Sequence, residues 1–383
     1  MVYICLMTFD KIIGLEHIKN HLKTSADQGR IAHAQLFCGA NGYGTLAMAI
    51  AYAQHILCNN ASDSDSCNLK FNSLSHPDLH FVFPVTTTSE VKSHPVSDMF
   101  LKDWRTFVSQ KSYGSLFEWF QQIGAEKKQG IINVDEAAKI VQKLSLKSYE
   151  GGYKIMLIWA ADKMNIASAN KLLKLIEEPP EKTIFILITE NEDQILQTIS
   201  SRCQILQFPP LGAGAISSAL QTMHNVEPAS AEKIAHRAQG DFNKALHLLH
   251  NDGNDTLFEE WFITWVRAAF KAKGNKAVVN DLIEWSESIA SNGREIQKQF
   301  LHYCIDFFRQ ALLLNYSSPD LVFLEPQTAN FQLNKFAPFV HGNNIEPIFE
   351  ALQNALYHIE RNGNGKIILT DLSIKLTRLL HVK

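Results

Sequence analysis

No stretch of this 383-residue chain approaches the ~20 consecutive apolar residues that a membrane-spanning helix needs. The solid run Ile155–Ala161 has the length of a buried strand, so no bilayer span is expected. The N-terminal stretch Met1–Met7 is apolar but has no basic flank and meets Asp10 at once, which makes it a poor secretory signal. Charge of one sign is also lacking. With 36 basic and 39 acidic residues the net charge is −3, and the total reveals no large nucleic-acid-binding face, only room for a local patch. Cysteine is sparse: Cys5, Cys38, Cys58, Cys67, Cys203 and Cys304 are scattered over the whole chain. In a protein of this size they read as reduced thiols in a cytoplasm, not as a disulfide framework. Internal repeats are absent, and no low-complexity tract exceeds a few residues. What remains is an ordinary globular composition, 46% hydrophobic and 20% charged. At roughly 100–200 residues per domain the chain is too long for one core.

The first half alternates strand and helix signals. Gln35–Cys38 is a short apolar strand ending in a glycine-rich turn, and Leu46–Leu57 follows as a helix. Leu79–Val85 alternates like a strand, and Val134–Leu146 carries apolar residues along one helical face. Lys154–Trp159 and Thr183–Thr189 are apolar throughout, as central parallel strands buried on both faces are. Asn165 is placed to cap a helix that Pro179 and Pro180 close, and Cys203–Phe208 reads as a further buried strand. Strands separated by helices imply a parallel α/β domain over residues 1–209. Thereafter the strand signals fade. Residues 210–253 read as short helices broken at Glu227-Pro228 and Gln239-Gly240, and residues 254–383 as a helical C-terminal domain with loops near Lys273–Asn275, Ser317–Pro319 and Asn362–Gly365. Its aromatic stripes, including Trp261, Trp265, Phe300, Phe307 and Phe308, serve a core more readily than an interface. The aromatic-rich stretch 86–130 is a long connection between core elements and reads as an inserted helical excursion.

The sharpest local pattern is Gly39-Ala-Asn-Gly42-Tyr-Gly44-Thr45-Leu46, between a strand and a helix, where a phosphate-binding loop belongs. In a working loop the glycines let backbone N–H groups curl around phosphates, a lysine neutralises charge and a hydroxyl ligates Mg²⁺. Here the lysine position holds Thr45 and the hydroxyl position holds Leu46. The glycines can still serve the tight turn, but the chemistry is gone. In an ATPase of this kind the strand that begins at Lys154 would end in an acidic pair; its positions hold Trp159 and Ala160, with Asp162 beyond the strand end. Losing both features together argues against ATP hydrolysis by this chain. A third pattern, Ser201-Arg202-Cys203, is intact. An arginine held between a short apolar helix and a strand can point outward to a neighbour's γ-phosphate, or be an ordinary ion-paired surface residue; three residues alone do not decide.

Together these residues resemble the bacterial clamp-loader branch of the AAA+ superfamily, densely over 9–38 and 128–210. Phe9-Asp-Lys-Ile-Ile-Gly14 resembles the family's N-terminal box, His33-Ala-Gln-Leu-Phe37 the strand before the loop, and Ser75-His-Pro-Asp78 the box after the family's zinc module. The most specific signature is Asn170-Lys-Leu-Leu-Lys-Leu-Ile-Glu-Glu-Pro-Pro180 followed by Ser201-Arg202-Cys203. Glu360-Arg-Asn-Gly-Asn-Gly-Lys366 is similar to the end of the collar domain. Within that branch, loss of the loop lysine and the acidic pair with retention of Ser-Arg-Cys is the pattern of the delta-prime family of DNA polymerase III subunits.

The resemblance implies an α/β AAA+ domain, a small helical lid and an all-α collar that assembles with other subunits. It implies Arg202, with Ser201 and Cys203 as its motif, as a finger acting in trans on ATP and Mg²⁺ held by a neighbouring subunit. The chain itself is expected to need no cofactor and to hydrolyse no ATP while belonging to the DNA polymerase III holoenzyme, a nucleotidyltransferase assembly. Implied partners are the motor (gamma/tau) and delta subunits, with the sliding clamp and primer–template DNA met through the complex. Asn243, in Gly240-Asp-Phe-Asn243-Lys-Ala-Leu246, stands where motors carry a second nucleotide-sensing arginine. Of the zinc module only Cys58 and Cys67 remain; Lys70 and Ser73 hold the next positions, and His76 and His80 are the nearest substitutes, so no metal is expected. Lys139, Lys143 and Lys147 offer a solvated helix face or DNA contacts. Two rivals stand: an active AAA+ ATPase with a variant loop, and a AAA+-derived adaptor outside replication.

Overall fold

The computed structural model describes residues 7–382 apart from 60, 62, 127, 150, 151, 251–253, 273, 274, 276, 319, 320, 329 and 330. Cys5, the expected boundary at 253, and parts of the expected loops at 273–275 and 317–319 therefore lie outside the described residues. By internal contacts the chain divides into two compact units, Met1–Leu246 and His247–Lys383.

The first unit is built on a five-stranded, wholly parallel sheet of order β2-β3-β4-β1-β5. Its strands are β1 (Ala34–Cys38), β2 (Leu79–Val82), β3 (Lys154–Ile158), β4 (Thr183–Thr189) and β5 (Gln204–Gln207). Every residue of β1, β3 and β4 is buried, as the unbroken apolar runs require. β5 departs from the expected buried strand. It pairs only with β1 at the sheet edge, and Gln204, Ile205 and Gln207 are exposed. The glutamines flanking Ile205 and Leu206 suit an edge that faces solvent on one side.

Helices of the first unit are α1 (Glu16–Asp27), α2 (Thr45–Cys58), α3 (Ser64–Asn72), α4 (Leu101–Gln110), α5 (Leu116–Gln122), α6 (Val134–Ser145), α7 (Ile166–Glu177), α8 (Gln197–Ser200), α9 (Ala213–His224), α10 (Pro228–Ala238) and the first five residues of α11 (Phe242–His250). α6 and α7 cover one sheet face, packing Ile140, Leu144, Leu172 and Ile176 against Leu36, Met156, Phe185 and Leu187. Asn165 caps α7 as expected, its Oδ1 accepting from Ser168 N at 2.8 Å. Between residues 45 and 53 α2 is buried on all sides; the alanines at 47, 49, 51 and 53 keep it slim enough to be enclosed. Glu227 caps α10, accepting from Ser230 N at 3.0 Å, with Pro228 in its first turn.

The 86–130 excursion is helical, with α4 and α5, and leaves and rejoins the domain at one place, an antiparallel bridge between Val85 and Ile131. It has an aromatic core. Trp104 stacks on Phe83 at 4.2 Å between ring centroids and meets Trp119 edge-on at 5.4 Å, and Trp119 Nε1 donates to Pro84 O at 2.8 Å.

The second unit is all helix: α12 (Asp255–Ala272), α13 (Val278–Ala290), α14 (Arg294–Asn315), α15 (Leu333–Phe336), α16 (Ile345–Glu360) and α17 (Gly365–Leu379). Trp265, Phe300, Phe307 and Phe308 are core residues, and Trp261 packs half-buried against them. Trp265 stacks on Trp285 at 5.0 Å, and its indole N–H donates to Ser373 Oγ at 3.0 Å, so the polar end of this core is satisfied. Among the described residues no helix is long and apolar enough to cross a membrane.

Candidate functional site

The glycine loop joins β1 to α2 in a turn that needs its glycines. Gly42 and Gly44 have φ of +74° and +87°, a region that costs an L-residue about 1–2 kcal/mol. Gly39 N donates to Thr189 O at 3.1 Å, anchoring the loop to β4. Thr45 and Leu46, at the positions of the missing lysine and hydroxyl, are both buried. Two other segments press on the loop. From the excursion, the Tyr113 ring lies so close to Gly44 that an added methyl there would sit 2.8 Å from Cε1. From α11 and its cap, Asp241 lies so close to Gly42 that a methyl there would sit 1.7 Å from Oδ1. Phe242 N donates to Gly42 O at 3.1 Å, and Asp241 Oδ1 accepts from Lys244 N at 2.9 Å. Burial, and then the Asp241 charge, raise the Tyr43 hydroxyl above its ordinary range.

The position of the acidic pair is apolar in structure as in sequence. Trp159 is buried and packs against Trp104 at 5.2 Å and Phe107 at 5.7 Å, both from the excursion. Ala160 turns the chain with φ of +50°. Asp162 accepts from Thr189 Oγ1 at 3.1 Å and pairs with Lys163 at 2.6 Å. No carboxylate occupies the strand end itself.

Arg202 lies where α8 turns into β5, and it is exposed. Its guanidinium is held from two directions: Nε donates to Glu177 Oε2 at 3.0 Å and an Nη to the Thr198 carbonyl at 2.9 Å. Glu177 ends α7, inside the Glu-Glu-Pro-Pro signature, so the two most specific sequence motifs meet in space. Ser201 is exposed beside it, while Cys203 turns inward to the sheet core. Burial pushes the Cys203 thiol up to about 11 and the Cys38 thiol up to about 12, so neither is a thiolate nucleophile at neutral pH.

The zinc-module remnant corrects the expectation of reduced thiols throughout. Cys58, at the end of α2, and Cys67, inside α3, form a disulfide with Cα atoms 5.5 Å apart, because the short connection folds α3 back on α2. Cys38, Cys203 and Cys304 are free. His76 joins the pair: one donor atom from each of Cys58, Cys67 and His76 lies within 4.8 Å of the others, all three residues buried, while His80 stands outside the group. A structural zinc needs a full tetrahedral set with cysteines as thiolates. Three converging donors, two of them bonded to each other, do not fit that requirement.

On α6, Lys143 is tied to Asp98 of the excursion and Lys139 is exposed; Lys147 is exposed just beyond the helix end. The residues that sequence reasoning missed are Tyr113, Glu118 and Asp241. Asp241 stands inside a motif and Ser115 and Glu118 have capping-box spacing, but the contacts of Tyr113 with Ile13 and of Glu118 with Asn243 join residues far apart in the chain.

Comparison with known proteins adds a family. Residues 14–212, just over half of the chain, match the family described as DNA polymerase III, delta subunit. The delta' subunit of DNA polymerase III from Bacillus subtilis is 30% identical over 60% of this chain and 58% of its own length. The tau subunit from the same organism is 28% identical over 63% of this chain and 37% of its own length. The chain thus spans between about a third and three-fifths of these relatives. Among solved structures, a DNA polymerase III gamma subunit-related protein from Thermotoga maritima is similar at a TM-score of 0.44 and 12% identity, over 94% of this chain and 99% of that one. The match over 14–212 takes in the glycine loop, the Trp159 strand end and the Arg202 turn, and the chain belongs to the DNA polymerase III delta subunit family.

Proposed function

We propose that this chain is a non-motor, delta-prime-type subunit of a replicative clamp loader, which lends Arg202 to ATP bound by an adjacent motor subunit. The observation that carries the reading is a contrast within one domain. The loop that would bind nucleotide lacks its lysine and hydroxyl and is pressed by Tyr113 and Asp241, yet Arg202 stands exposed and braced. An arginine braced by a carboxylate and a carbonyl is pre-organised, so little side-chain entropy remains to be lost when it meets an anion. Placed against a γ-phosphate, a guanidinium stabilises the charge that spreads over the equatorial oxygens in the transition state. Such fingers are worth about 10³–10⁵ in rate. On meeting a phosphate, Arg202 would exchange its surface pairing with Glu177 for a stronger charge-assisted contact.

In this reading the chain works in the cytoplasm as part of the DNA polymerase III holoenzyme. Residues 1–209, 210–253 and 254–383 act as AAA+ domain, lid and collar, the collar holding motor and delta subunits together. ATP and Mg²⁺ belong to the motors; clamp and primer–template DNA are met through the assembly. The likeness to tau leaves the active-ATPase reading as the rival, and the residues at 45, 46 and 159 oppose it.

The test has two parts. Purified alone, the chain should show no ATP turnover; mixed with motor and delta subunits, it should co-elute with them on gel filtration. Turnover by the isolated chain would favour the rival. Failure to co-elute would favour an adaptor outside replication.

A further inference from the structure

The excursion at 86–130 supplies more than the Tyr113 contact used above: it reaches both Gly44 of the nucleotide loop and Trp159 at the strand end. Tyr113, between α4 and α5, is the centre of these contacts. It is 8% exposed, its hydroxyl accepts from Ile13 N at 3.0 Å, and its ring lies against Gly44 and meets Phe242 of α11 edge-on at 5.1 Å. One side chain thus joins the N-terminal box, the glycine loop and the lid. A few residues on, Ser115 and Glu118 form a capping box at the start of α5. The buried Glu118 also pairs with Lys111 at 2.7 Å and accepts from Asn243 Nδ2 of α11 at 2.7 Å. Asn243 is itself 6% exposed. Trp104 and Phe107 of the same excursion cover Trp159.

The chemistry of these contacts is that of a bound ligand. Hydroxyl and carboxylate oxygens accept from a backbone N–H and a side-chain amide, an aromatic ring fills the space over Gly44, and the Asp241 carboxylate lies against Gly42 on a loop built for phosphate. Because the groups are covalently attached, occupancy costs no association entropy and does not depend on any nucleotide concentration.

We propose that the 86–130 excursion is an internal stand-in for nucleotide: Tyr113 lies over the glycine loop at Gly44 and Glu118 holds α11 through Asn243, so that the chain's own residues hold the lid closed in place of ATP. The proposal rests on the reading that this chain binds no nucleotide, and gives the excursion a task within it. The lid of such a subunit would keep one position while its motor neighbours cycle.

Hydrogen exchange measured by mass spectrometry on the full chain tests this, with Tyr113→Ala, Tyr113→Phe and Asn243→Ala beside the parent and with millimolar MgATP added or withheld. Amides of 39–46 and of α9–α11 should exchange at least tenfold faster in Tyr113→Ala and Asn243→Ala. Tyr113→Phe should fall between these and the parent, because it keeps the ring but strands the Ile13 N–H. Amides of α12–α17 should be unchanged, and MgATP should not slow the parent. Unaltered exchange of α9–α11 in folded Asn243→Ala would overturn the latch and leave the non-motor reading standing. Slower exchange of 39–46 on adding MgATP to the parent would overturn both. Should Tyr113→Ala fail to fold, Asn243→Ala and Tyr113→Phe carry the same comparison.

Discussion

Arg202 reaches across from the start of β5 to Glu177 at the end of α7, Nε to Oε2, at 3.0 Å. Both partners are substantially solvent-exposed, with side chains 35% and 54% accessible. A pair of this kind contributes less than about 1 kcal/mol. With the Thr198 carbonyl, it fixes the guanidinium at the turn between α8 and β5, beside an exposed strand edge.

Glu177→Ala should therefore leave the stability of the isolated chain nearly unchanged, within about 1 kcal/mol by denaturant unfolding. A larger loss would mean that Glu177 has a structural role beyond holding the guanidinium.

The glycine loop should be far less forgiving. Gly44→Ala places a methyl 2.8 Å from the Tyr113 ring at a φ of +87°, and should cost about 2 kcal/mol or more. Gly212→Ala, where a methyl meets nothing within 4 Å, should cost less than about 1 kcal/mol. Urea unfolding midpoints of the two variants compare them directly, and equal midpoints would contradict the packing described for the loop.

Much of the first unit could be read from its residues. β1, β3 and β4 announce themselves as apolar runs, Asn165 and Pro228 mark helix starts, and the Glu-Glu-Pro-Pro and Ser-Arg-Cys signatures pointed to the corner where they meet. The exposure of β5 was not legible, because whether a strand lies inside a sheet or at its edge depends on which strands pair with it. The long-range contacts of Tyr113 and Glu118 were not legible either. Their decisive partners, Ile13 and Asn243, lie 100 and 125 residues away. Local periodicity carries no information at that separation. The pairing of Cys58 with Cys67 escaped for a different reason. Cysteine count and scatter speak to the chain as a whole, whereas the bond depends on α3 folding back onto α2.

Breaking that disulfide should cost about 2–3 kcal/mol, the loop-closure entropy expected for so short a loop. Unfolding midpoints with and without reductant measure it, and two more thiols should titrate in denaturant after reduction than before. Stoichiometric zinc in a metal assay of the purified protein would contradict the account given for these cysteines.

Acid should weaken the first unit through His80. Burial, with Lys143 next, lowers its pKa from the ordinary 6.5 to about 4. The unfolded chain therefore takes up this proton below 6.5, while the folded chain does so only near 4. The contribution of neutral His80 is fully present above 6.5 and is lost as the pH falls toward 4, at most about 3 kcal/mol in all. His80→Gln should flatten this part of the stability–pH curve between those limits, and an unchanged slope would show that His80 is not its source.

In the proposed role, a chain unable to use ATP itself supplies a charge to its neighbour's ATP. Arg202→Ala in a loader reconstituted from this chain with motor and delta subunits tests it most directly. The complex should assemble at unchanged size while its DNA-stimulated ATP hydrolysis and clamp loading fall by tenfold or more, about 1.4 kcal/mol of lost transition-state stabilisation at the least. Unchanged hydrolysis by a fully assembled complex would contradict it.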